Sequence, residues 1–253
     1  MSINEELFEE YLQKYCNGKL SKVNERIANL DIIKMALKAG ADIIERIRHS
    51  YGSRLPVPHI GLVDENGLNA CAFIYKDRDF IGINAGTILI LFDVFCRILS
   101  HPKLFLNVGD ATKEIEPEQF YDRATDFRNL DQNDTVVPKD PVRLRHAFES
   151  ALCAIEFLVT HEYGHLIHGH CHLNNEFTGQ TNLFELESSV SSANQSIGGL
   201  IRQTLEMDAD AYGANIGFRN VLANVGLAKI EFLFCPFIPR MRRLCIIGCS
   251  QFV

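Results

Sequence analysis

The stretch His161-Glu162-Tyr163-Gly164-His165 sets two imidazoles four residues apart, one above the other on the same face if the chain is helical there. The flanks predict that it is. Asp140-Pro141 supplies a start signal, an Asp cap followed by Pro at the first helical position. Leu144, Ala147, Phe148, Ala151, Leu152, Ile155, Leu158 and Val159 then recur at helical spacing, and no Pro interrupts before the histidines. Gly169 marks a stop. One helix over 140–168 is expected, roughly 40 Å long at the standard rise. The apolar run 155–159 leads straight into the histidine pair, which therefore begins inside a buried helix.

Two histidines on one helix face can grip one cation, and this spacing is the one zinc hydrolases use. Such a site takes three protein ligands and keeps a fourth position open. Glu162, about 100° round the helix from His161, borders the site, where a carboxylate can take a proton from an attacking water.

Two candidates compete for third ligand. Glu206 lies in Leu205-Glu206-Met207-Asp208-Ala209-Asp210, where Ile201, Leu205, Ala209 and Tyr212 again recur at helical spacing. Glu206 and Asp210 share a face, a like-charge pair that an isolated helix disfavours and that a cation or a histidine N–H relieves. The other candidate is His172, after His168 and His170. Zinc proteases with a third histidine place Gly three residues after the second histidine and the ligand three further on. Those positions hold His168 and Cys171, with Gly169 and His172 each one place late. Glu206 is the better choice. A second metal at His170, Cys171 and His172 is weighed against a solvated loop; alternating residues project poorly from a helix, and the loop is favoured. His170 and His172 are also candidates for oxyanion stabilisation, and Tyr163 and Tyr212 read as packing residues.

Together HEYGHLIHGH and LEMDADAYGA resemble the gluzincin clan of zinc metallopeptidases. Within it they are most similar to the branch of prenyl-protein (CAAX) proteases, bacterial heat-shock membrane proteases and their soluble relatives. Leu68-Asn69-Ala70-Cys71-Ala72-Phe73 and the segment from Phe80 to Thr87 resemble the Asn-Ala strand and hairpin ahead of the active helix in such enzymes. The resemblance implies one zinc ion held by His161, His165 and Glu206, with Glu162 as general base. Asp210 would support a zinc-bound histidine. It further implies an α+β fold: a helix-rich, zincin-like metallopeptidase domain with a small antiparallel sheet and an active-site helix. The activity implied is zinc-dependent endopeptidase cleavage of protein or peptide substrates. Two other functions fit the same residues: a zinc-binding regulatory protein without turnover, and a toxin-like or phage-defence protease with one dedicated substrate. The chain departs from the family pattern after residue 172, where no further histidine occurs and Phe237-Ile238-Pro239-Arg240 is a poor match to the later Arg. Its apolar, cysteine-containing tail reads as an interrupted element, so a divergent or truncated C-terminal part is expected.

Composition narrows the remaining classes. The net charge of −7 and the lack of a basic cluster argue against nucleic acid as a partner. The acidic N-terminus does not read as a secretory signal. No integral membrane segment is expected either: the longest apolar run, 81–99, is broken by Asn84, Asp93 and Arg97. Eight cysteines without a CxxC pair read as reduced thiols in a cytoplasmic protein.

Residues 1–50 are expected to form an N-terminal helical layer and 51–253 the metallopeptidase domain. In the layer, helices are expected over 5–16 and 23–48, with Gly40 weakening the second. Strand candidates are 57–63, 68–75 and 80–84, joined by turn chemistry at 64–67 and 76–79, and 86–100 reads as a helix. The polar segment 107–139 reads as an insertion, and 174–199 as a loop between the two candidate metal helices.

Overall fold

The computed structural model describes residues 2–15, 30–52, 54–116, 136–178, 182–184 and 197–225. The tail beyond 225, residues 23–29 of the second expected helix and most of the polar insertion lie outside that set. Among the described residues, six α-helices frame a small sheet: α1 (Ile3–Tyr15), α2 (Leu30–Tyr51), α3 (Ala85–Ser100), α4 (Pro141–Ile167), α5 (His170–Thr178) and α6 (Ile197–Val225). The strands are β1 (His59–Val63), β2 (Ala70–Tyr75), β3 (Arg78–Asn84) and β4 (Asn182–Phe184), ordered β1-β3-β2-β4. The fold is thus α+β, helix-rich with a four-stranded sheet.

The sheet is mixed, not antiparallel as expected. β2 runs antiparallel to β3 and β4, but β1 lies parallel to β3, with Val63 opposite Asn84. The turn chemistry explains the difference. Lys76 and Asp77 both take positive φ, which closes β2 and β3 into a two-residue hairpin. The link from β1 to β2 is longer and is held against the start of α3: Gly86 N–H donates to Glu65 O (2.8 Å) and Asn84 Nδ2 to Gly67 O (3.0 Å). The chain therefore crosses the end of β3 and enters β2 on its far side.

Helices cover both faces of the sheet. Phe8, Tyr11 and Leu12 of α1 pack on Val63, Cys71, Phe73 and Phe80, while Ile33, Ile43, Ile44 and Ile47 of α2 share a core with Leu62, Ala72, Ile81 and Ile83. Those two strand sets alternate along β2 and β3, as a pleated sheet requires. The expected N-terminal layer is therefore split between opposite faces. α2 runs unbroken through Gly40, where an added Cβ would lie 3.0 Å from Val159 of α4.

α4 matches its sequence signals closely. Asp140 caps it by accepting from Val142 N–H (3.0 Å) and Arg143 N–H (3.2 Å), Pro141 opens it and His168 ends it. Its inner stripe of Ala147, Ala151, Ile155 and Val159 is fully buried. The N-terminal end is fixed by Arg143, whose side chain is 0% exposed. Its guanidinium donates to five carbonyls, those of Leu99, His101, Leu104, Phe105 and Val108, at 2.7–3.1 Å. Glu114 stands 3.7 Å away and also accepts from the N–H groups of Lys139 and Asp140. The described parts of the expected insertion, 107–116 and 136–139, are thus a socket that seats α4.

Replacing Arg143 with Met keeps the apolar stem but strands those carbonyls beside a buried carboxylate. A loss of about 3–5 kcal/mol is expected, read from urea unfolding of the two proteins side by side.

Candidate metal centre

The centre forms where α6 crosses the C-terminal third of α4, and two glycines let the helices meet. A Cβ on Gly164 would stand 3.5 Å from Ala209 Cα and 3.3 Å from the Tyr212 ring, and one on Gly213 3.2 Å from His161 N. Ala209, between them, is fully buried.

This approach brings together the three residues singled out from sequence. His161 Nε2 and His165 Nε2 lie 3.0 Å apart, and Glu206 Oε2 is 3.3 Å from the first and 3.4 Å from the second. A tetrahedral ion with bonds of about 2.0–2.1 Å keeps its ligand atoms about 3.3 Å apart, so the triangle has the size such an ion needs. The His161 and His165 side chains are 3% and 1% exposed, whereas the Glu206 side chain retains 27% of its surface. The triangle thus lies at the edge of the buried core, with Glu206 its most exposed member.

Tautomers strengthen the fit. His161 Nδ1 is 3.0 Å from Asp210 Oδ1, and a carboxylate there demands an N–H on Nδ1. Nε2 of the neutral ring is then a lone pair aimed at Glu206, also an acceptor. Two acceptors face each other in a buried setting and need a cation between them; a divalent ion supplies one, as would a proton shared within the cluster. With no ion present, burial raises the Glu206 carboxyl, but hydrogen bonds from His161 and His165 when those rings carry a proton on Nε2 more than offset it and hold it at about 2.

Glu162 is buried, and its charge adds to burial in pushing the Cys171 thiol up. Tyr163 is a packing residue whose hydroxyl donates to Pro56 O (2.9 Å), and Tyr212 packs edge-on against His168. His172 is exposed on α5 and joins neither titratable cluster. The expected loop after α4 is instead helix α5, with Cys171 and Asn174 buried beneath it. Cys171 contacts Ala72 O and takes no part in a metal cluster among the described residues.

Sequence reasoning missed a second cluster, His168, His170 and Asp208. Gly169 adopts φ +75°, a left-handed conformation that favours glycine, and turns the chain so that His170 reaches back to α4. His165 Nδ1 and His170 Nδ1 lie 3.0 Å apart. Asp208 Oδ2 is 3.2 Å from His170 Nε2 and also bonds His168 Nδ1. Burial, then the His165 ring, hold His170 down at about 4, while the bond to His168 lowers Asp208.

No protein-family model matches the chain, and no curated protein or solved structure does so either. Among the described residues, no helix is long and apolar enough to cross a membrane.

A larger side chain at Gly213 must wedge the helices apart where His161 sits. Gly213→Val is expected to weaken divalent metal binding about tenfold or more, in line with an overpacking cost of about 1–3 kcal/mol. Titration against a chromophoric chelator reads the change.

Proposed function

We propose that the protein is a zinc-dependent endopeptidase, zincin-like in its active-site helix, that cleaves peptide bonds in protein or peptide substrates of the cytoplasm. The observation that carries this reading is the triangle of His161, His165 and Glu206 with Asp210 behind it. It joins a zinc-sized donor set, one partly exposed anionic member, Glu206, and a carboxylate, Glu162, next in sequence to the first histidine.

One zinc ion at that triangle supplies Lewis acidity toward the scissile carbonyl and the attacking water. The chain's own residues do the rest. His161 and His165 present Nε2 lone pairs, and Asp210 keeps the proton of His161 on Nδ1, fixing tautomer and ring orientation. Glu206 contributes the one anionic donor of the set. Glu162 takes the proton of the attacking water and delivers it to the departing nitrogen, a contribution worth about 10²–10⁴-fold.

Two variants test the assignment. The purified chain is expected to carry one zinc and to cleave casein or a peptide library. Glu162→Gln should retain the zinc and lose cleavage by about 10²–10⁴-fold, whereas Glu206→Ala should lose the zinc as well. Metal analysis showing no zinc on the wild-type chain, or cleavage undiminished in Glu162→Gln, refutes the proposal.

A further inference from the structure

The His168–His170–Asp208 cluster has the composition of a second metal site, yet its contacts give it another task. We infer that His170 and Asp208 form a relay that fixes the tautomer and orientation of His165, with His170 as the positioning residue. This inference rests on zinc binding at His161, His165 and Glu206.

Proton accounting carries the inference. His165 turns Nε2 toward the triangle, so as a neutral zinc ligand its only N–H is on Nδ1. The atom 3.0 Å from that N–H is His170 Nδ1, which must accept and so carries no proton. His170 is then protonated on Nε2, and Asp208 Oδ2 waits 3.2 Å away to accept it. Asp208 also takes the contact from His168 Nδ1. Every N–H in the series has one acceptor.

A second ion in this cluster breaks the series. To ligate through Nε2, His170 must carry its proton on Nδ1, which sets two N–H donors face to face at 3.0 Å. The two clusters therefore cannot both hold metal in the observed arrangement. His161 is supported directly by Asp210, and His165 through an interposed imidazole by Asp208. One five-residue segment of α6, from Glu206 to Asp210, thus supplies a ligand and both carboxylate anchors.

Three readouts on the full chain test this. Nitrogen-15 spectra of the zinc-loaded wild type should show His170 unprotonated at Nδ1 and protonated at Nε2, with one zinc per chain. His170→Ala should bind zinc about 10–100-fold more weakly. His170→Asn should recover most of that loss, because its Oδ1 stands where Nδ1 stood and can accept from His165; a purely packing role predicts no such recovery. The opposite His170 tautomer, zinc affinity unchanged in His170→Ala, or a second bound zinc that His168→Ala removes would each overturn the relay while leaving the first centre standing. No zinc on the wild type would overturn both.

Discussion

The closeness of α6 to α4 is the constraint on which the centre depends. A Glu side chain reaches only a few ångströms past its Cα, so Glu206 meets two imidazoles on another helix only if the backbones nearly touch. Gly164, Ala209 and Gly213 permit that approach. Packing alone leaves α6 with a cost, because Glu206, Asp208 and Asp210 crowd three negative charges into five residues, and like charges at i,i+4 destabilise a helix. Histidines at the end of α4 and the start of α5 face all three carboxylates. The seam between the helices is therefore apolar along its middle and held by polar contacts on its flanks.

α4 is also built in two halves with different roles. Along its first half one stripe is buried and the remainder is partly or fully exposed, the ordinary state of a helix on a core. From Val159 to Leu166 it is buried on every side, Thr160, Glu162 and both histidines included. Polar groups so placed are desolvated and need partners. At the far end the Arg143 socket fixes the start of the same helix that carries the candidate centre.

Sequence reading recovered what local chemistry dictates. The cap at Asp140, Pro141 and unbroken periodicity defined α4 almost to the residue, and i,i+4 spacing grouped His161 with His165 and Glu206 with Asp210. The β2–β3 hairpin was legible from its turn. The parallel placement of β1 was not, because it depends on contacts of residues 64–69 with α3 that no local pattern encodes. α5 was missed for a related reason: HCHLNNEFT is short and mostly polar, and burial of Cys171 and Asn174 decides its conformation. Adjacency in sequence grouped His170 with Cys171 and His172, whereas space groups it with His165 and Asp208. Asp208 itself stands two residues from Glu206, a spacing at which helical side chains do not face each other; it joins the site only because His168 and His170 wrap round the end of α4. Arg143 was not singled out from sequence, since nothing in a linear pattern announces five carbonyls waiting for a guanidinium.

The charge balance of the region bears on which cation the triangle suits. Three carboxylates, those of Glu206, Asp208 and Asp210, face the four imidazoles of His161, His165, His168 and His170, and with zinc at the triangle the tautomers at His161 and His170 leave those rings neutral. Protons can offset little of this negative charge at the triangle itself. His161 Nε2 and His165 Nε2 are 3.0 Å apart, so a proton on each would set two N–H groups against one another, and only one fits between the three ligand atoms. A divalent ion brings twice that charge to the same point and satisfies all three lone pairs at once. A space too small for two protons thus suits one doubly charged ion as the common partner of the three ligand atoms.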